Sequence, residues 1–177
     1  SLGNSDAKIL AFGDSLTRGT GAGKGEDYPA ILTGLSKREV INAGVPGELS
    51  KDDLARLEGV LEVTRPALII LGHGGNDLLR KSDLNMAANN LRSMIELAHA
   101  HNVVVLLIGV PKPGLLIGTA SFYAEVAQAS GVSAALGTLK EILTDAGLKS
   151  DPAHLNTQGY RVLAECIFSK LQHLGAL

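Results

Sequence analysis

Four short segments of this chain carry residue types that can do chemistry together. Ser15 lies in Gly13-Asp14-Ser15-Leu16, and Asn76 follows two glycines in Gly74-Gly75-Asn76-Asp77. Asp151 stands three residues before His154, and Gly44 closes Val40-Ile41-Asn42-Ala43-Gly44. A serine hydroxyl is a weak nucleophile until a base takes its proton, and an imidazole suits that task near neutral pH. The imidazole needs an acceptor on its second nitrogen to fix the tautomer and stabilise the imidazolium. Asp151, at a spacing a turn can close, offers that acceptor, so Ser15, His154 and Asp151 fill the roles of nucleophile, base and orienting acid. A tetrahedral intermediate further needs donors aimed at its oxyanion. The backbone N–H groups of Ser15 and Gly44 and the side-chain amide of Asn76 are the candidates. Together these groups would complete an acyl-transfer site.

The elements that must position these residues can be read from periodicity. Strand-length apolar runs occur at Lys8–Phe12, Glu39–Ala43, Ala67–Leu71 and Val103–Val110, with a short fifth at Val132–Leu136. Runs apolar on both faces are typical of parallel strands covered by helices. Helical segments alternate with them. One spans Tyr28–Leu35, with Pro29 in its first turn. Another opens at Ser50, with Asp53 three residues on as a helix-start box and Leu54, Leu57 and Leu61 as its stripe. A third is capped by Ser82 or Asp83, with the stripe Leu84, Ala87, Leu91, Met94, Ile95 and Ala98. The last is capped by Asn156 and presents Tyr160, Leu163, Ala164, Ile167, Leu171 and Leu174. The expected fold class is α/β, a three-layer α/β/α sandwich with a mostly parallel sheet. In such sheets ligands bind at the carboxyl ends of the strands. Ser15, Gly44 and Asn76 follow three strand ends, and His154 lies just before the last helix.

In this order, the blocks resemble the GDSL, or SGNH, hydrolase family, in particular its small bacterial thioesterases, lysophospholipases and arylesterases. The resemblance rests on Ala11-Phe12-Gly13-Asp14-Ser15-Leu16-Thr17-Arg18-Gly19, on Val40 to Gly47, on Pro66 to Asp77 and on Asp151 to Gly159. It implies a flavodoxin-like SGNH hydrolase fold and an acyl-enzyme on Ser15. It also implies that Asp151 and His154 act as the base pair, that Gly44 and Asn76 complete the oxyanion hole, and that there is no cofactor and no metal. The chain departs from the pattern at Leu155, where proline usually follows the histidine, and at His73, where an apolar residue is usual. His73 is read as a satisfied polar residue with no catalytic role, and Asp77 as a brace for its loop.

The substrate class follows from apolar residues in rim loops. Leu78, Leu115, Leu116 and Ile117 are candidates for an acyl-chain groove, because connections normally favour polar residues. Arg18, Arg80 and Lys112 lie near the same rim. The expected partner is a small-molecule acyl ester or thioester. A carbohydrate acetyl esterase using the same residues and a non-catalytic flavodoxin-like binding module are the alternatives.

Bulk properties narrow the field. The 177 residues carry 16 basic and 18 acidic groups, a net charge of −2 with no block of like charges, which offers no footprint for nucleic acid. Val103–Val110 is the longest apolar run, far below the ~18–20 residues that span a bilayer, so no integral membrane segment is expected. The single cysteine, Cys166, is expected to be a buried, inert thiol. Residues 1–177 read as one domain, with 1–7 as a flexible or vector-derived N-terminus. A periplasmic or secreted location, with the export signal removed, is the expectation for compartment.

Overall fold

The computed structural model describes residues 2–80, 83–111 and 120–177. Five parallel strands form one sheet: β1 (Ile9–Gly13), β2 (Val40–Gly44), β3 (Leu68–Gly72), β4 (Val104–Ile108) and β5 (Ser133–Ala135), in the order β2-β1-β3-β4-β5. Ile9 pairs with Val40 on one side and with Leu68 on the other, so β1 lies inside the sheet. Every residue of β1 is buried, whereas the edge strand β2 is buried only at its two ends. This is why the apolar run at β1 is unbroken and β2 can carry Asn42.

The helices are α1 (Ser15–Arg18), α2 (Tyr28–Ser36), α3 (Ser50–Thr64), α4 (Gly75–Leu79), α5 (Leu84–Ala100), α6 (Ser121–Ser130), α7 (Thr138–Thr144) and α8 (Thr157–His173), with a 3-10 turn at Ala146–Leu148. α2 and α7 pack on α8, while α3 and α6 pack on α5. These two groups are the outer layers of the expected sandwich. On α8 the buried stripe is Tyr160, Leu163, Ala164, Ile167 and Leu171. Burying each of the large aliphatic members contributes about 1.5–3 kcal/mol. Leu174 and, on α5, Leu84 were expected in the stripes and are exposed instead, because both stand at helix ends beyond the packed turns.

Two further expectations, the helix-start box and the buried cysteine, are corrected. Ser50 and Asp53 do not form a helix-start box: Leu49 precedes α3 with no side-chain cap. Ser50 instead gives its N–H and its hydroxyl to the two oxygens of Asp77, at 2.9 and 2.8 Å, because that buried carboxylate needs donors. Asp53 turns inward to His73. Cys166 is exposed, because it faces away from the Leu163–Ile167 stripe. Partial burial and the Glu141 and Glu165 carboxylates raise its thiol pKa, which keeps it protonated. The N-terminal residues are tied down: Leu2 N–H donates to Ala176 O at 3.0 Å, and the Arg38 guanidinium donates to the carbonyls of Asn4 and Ala7. Helices α6 and α7 were not foreseen. Of the two caps considered for α5, Asp83 accepts from the N–H groups of Asn85 and Met86, and Ser82 lies outside the described residues.

The strand order reverses direction at β1 and β3, the place where open α/β sheets form a crevice beyond the strand ends. Ser15 follows β1 and Asn76 follows β3, so the fold puts both beside that crevice.

Candidate active site

Ser15 opens α1 directly after β1. Asp14 turns the chain there, its side chain accepting from Leu16 N–H at 3.1 Å. Burial pushes the Asp14 carboxyl up to about 6, against the opposing pull of the Leu16 N–H and of His154. Asn42 braces the same short helix from β2: its amide donates to Thr17 O at 3.0 Å and to Asp27 Oδ1 at 3.3 Å.

The Ser15 hydroxyl lies 2.9 Å from His154 Nε2, across 139 residues of chain. His154 Nδ1 lies 2.8 Å from Asp151 Oδ2 and 3.0 Å from Oδ1. With the ring proton on Nδ1, Nε2 is left to accept from the hydroxyl. Asp151 Oδ1 also accepts from the N–H groups of Ala153 and His154, at 2.7 and 2.9 Å. Partial burial works to raise the Asp151 pKa, but those N–H groups and the His154 ring outweigh it and hold the carboxyl below its ordinary value. The carboxylate is therefore ionised at neutral pH, as the orienting role requires. The loop itself is closed by an antiparallel bridge between Lys149 and Leu155, so the absence of proline after His154 is made good by backbone pairing.

The donors fall into two groups. Asn76 sits in α4 behind Gly74, whose φ of +104° is the left-handed region that glycine adopts freely. A Cβ there would also overlap the Tyr123 hydroxyl, which donates to His73 O at 2.6 Å. One amide hydrogen of Asn76 goes to Glu48 O at 3.0 Å, leaving the second to point elsewhere. The Gly44 N–H, by contrast, donates to Asn42 Oδ1 at 3.0 Å. Gly44 is buried under α1, where a Cβ would overlap Arg18 N. In this structure its N–H is thus engaged by the Asn42 side chain. Three residues on, Gly47 is exposed, has φ +78°, and its N–H has no acceptor among the described residues. That feature was missed in the sequence, where two glycines after the same strand look alike.

Leu78 is buried in the core, while its neighbour Leu79 is 53% exposed. Leu115, Leu116, Ile117 and Lys112 lie outside the described residues. Arg18 and Arg80 are exposed, and Arg80 Nη2 lies 3.4 Å from Gly47 O. Asp77 braces its loop through Ser50, as expected. His73 is fully buried, with Nδ1 in direct contact with Asp53 Oδ2 and far from solvent.

The chain is similar to known proteins over part or most of its length. The chain is 34% identical over 110 residues to the esterase TesA of Pseudomonas aeruginosa, a match covering 59% of this chain and 55% of that protein. It is 33% identical over 107 residues to thioesterase 1/protease 1/lysophospholipase L1 of Escherichia coli strain K12, covering 59% of this chain and 51% of that protein. The matches thus span about half the length of these curated relatives. Among solved structures, AlinE4, an SGNH-hydrolase family esterase, superposes with a TM-score of 0.74 at 30% identity, covering 99% of this chain and 97% of that one. The model of the GDSL-like lipase/acylhydrolase family matches residues 11–162. Most of the chain is included in that match, and the chain belongs to the GDSL-like lipase/acylhydrolase family.

Proposed function

We propose that this protein is a serine ester hydrolase acting on acyl esters or thioesters through an acyl-enzyme on Ser15. The observation that carries the reading is the continuous hydrogen-bonded path from Ser15 Oγ through His154 to Asp151. His154 Nε2 takes the hydroxyl proton as Oγ attacks the substrate carbonyl carbon, and the carbonyl electron pair moves onto oxygen. The Ser15 N–H and the Asn76 amide stabilise that oxyanion, with the Gly47 N–H serving in place of Gly44. Collapse of the intermediate expels the alcohol or thiol, which takes the proton from His154. Water then gives a proton to His154 and its oxygen to the acyl carbon. Release of the carboxylic acid restores the Ser15 hydroxyl.

Acyl esters and thioesters are favoured as substrates by exposed apolar surface after β3, where Leu79 ends α4. No helix among the described residues is long and apolar enough to cross a membrane. A periplasmic or secreted location belongs to the same reading, and fractionation of the source cells checks it. The central test is labelling by a fluorophosphonate combined with nitrophenyl ester turnover. The wild-type protein should be labelled at Ser15 and turn over, and folded Ser15→Ala should do neither. Near wild-type hydrolysis by Ser15→Ala would end the reading. Preference for longer over acetyl chains would separate it from a carbohydrate acetyl esterase.

A further inference from the structure

Arg56 projects from the second turn of α3 and reaches the carboxyl ends of β1 and β2 and the side chain of Glu48. Its Nε lies 2.9 and 2.8 Å from the two carboxylate oxygens of Glu48. Its Nη2 donates to Ala43 O at 2.9 Å and reaches Gly13 O at 3.4 Å. Those two carbonyls belong to the carboxyl ends of β2 and β1. The guanidinium carbon sits 4.0 Å from the centroid of the Phe12 ring, and Asp53 Oδ1 lies 3.7 Å from Nη2. Both partners of the central ion pair are largely shielded, the Arg56 side chain being 23% exposed and that of Glu48 11%.

Glu48 is the link to the site. It directly follows Gly47, and its backbone carbonyl accepts the Asn76 amide at 3.0 Å. The turn that carries Gly47 is closed by a long bond, Glu48 N–H to Val45 O at 3.4 Å. The turn is also tied to the end of β1 by Val45 N–H to Gly13 O at 2.9 Å and to Arg80 Nη2 through Gly47 O at 3.4 Å, and Arg56 adds to these ties the link through the Glu48 carboxylate.

We propose that Arg56 is a positioning residue: by holding the Glu48 carboxylate and the ends of β1 and β2 in one grip, it sets where Gly47 and Asn76 stand relative to Ser15. A planar guanidinium suits this task, because its fixed fork of donors can serve a carboxylate and two carbonyls at once. It also keeps its charge at every pH at which the protein works. The assignment rests on the oxyanion role proposed for Gly47 and Asn76.

The test separates positioning from mere stability. Arg56→Met keeps the stem over Phe12 and removes the fork. Active sites are titrated with a fluorophosphonate, so that unfolded protein does not count, and kcat and KM are measured per titrated site. A displaced donor should lower kcat by about 10- to 100-fold while KM stays within about threefold. Because Arg56 acts through donors that include Asn76, the same substitution in an Asn76→Ala background should cost much less than in the wild type. Glu48→Gln, which changes little in shape, should lower kcat in the same direction, and it carries the comparison if Arg56→Met does not fold. Retention of wild-type kcat per site, or an equal loss in both backgrounds, overturns the proposal. If the wild type is neither labelled nor active, the esterase reading fails on its own account. Hydrogen exchange at the Gly47 and Glu48 amides then decides the matter: faster exchange in Arg56→Met upholds the grip on the turn, and unchanged exchange overturns it.

Discussion

The Asp14 carboxyl is buried one residue before the nucleophile, and burial raises its pKa from 3.8 to about 6. A carboxyl whose pKa is higher folded than unfolded favours the folded state most below the unfolded value, and this contribution is lost as pH rises through the folded value. The window is therefore roughly pH 4 to 6, and a displacement of that size corresponds to about 3 kcal/mol. Asn at this position reproduces the neutral form and keeps an acceptor for Leu16 N–H. Asp14→Asn should match the wild type near pH 4 and be the more stable protein at pH 7, as read from urea unfolding at both pH values. Equal stability at pH 7 would show that the buried charge is compensated. The types and order of Ser15, His154 and Asp151 group them in the sequence, and the fold brings them within hydrogen-bond distance. The role proposed for Gly47 was not legible there, because it depends on the Asn42 side chain, which reaches α1 and the Gly44 N–H only in the folded chain. Arg56 was equally silent, since its partners come from β1, β2 and a loop.

At the level of elements, strands were legible wherever both faces are buried, as in β1 and β3. Helices were legible where a cap announces them. Asn156 starts α8 as expected, accepting from Gly159 N–H at 2.9 Å. By contrast α6 follows Ala120 and α7 follows Gly137, with no side-chain cap at either. Ser50 misled for the opposite reason: a residue suited to capping was taken by a tertiary partner, Asp77. Asn156 does more than cap. Its amide donates to Gly147 O at 2.8 Å and reaches Lys149 O at 3.4 Å, tying the start of α8 to the loop that carries Asp151 and His154. Asn156→Ala should cost about 1–2 kcal/mol. Asn156→Asp, which keeps the cap and loses the donors, should recover only part of that in thermal melts. Full recovery would mean that the tie to the loop contributes nothing to stability.

Across the molecule, the Asp53–His73 contact joins α3 to the end of β3 inside the core. Burial, with the bond and charge of Glu48, pushes the Asp53 carboxyl far up, and burial with the Arg56 charge holds the His73 imidazole well below its ordinary value. Both directions describe one state, an uncharged ring beside a protonated acid. Removing one partner takes a buried polar contact from the other, at a cost of about 1–3 kcal/mol. His73→Leu and Asp53→Val should each destabilise by that much in urea unfolding, and the double replacement should cost clearly less than their sum. Simple additivity would show that the two side chains are independent.

The bond between Ser15 and His154 spans 139 residues, with the nucleophile beside the first strand and the base beside the last helix. Synthesis proceeds from the nucleophile towards the base. A growing chain on the ribosome therefore carries the GDSL serine long before it has any group able to activate it. On the proposed mechanism, a chain that has not yet reached Asp151 and His154 lacks the proton acceptor that the Ser15 hydroxyl meets at 2.9 Å in the folded protein.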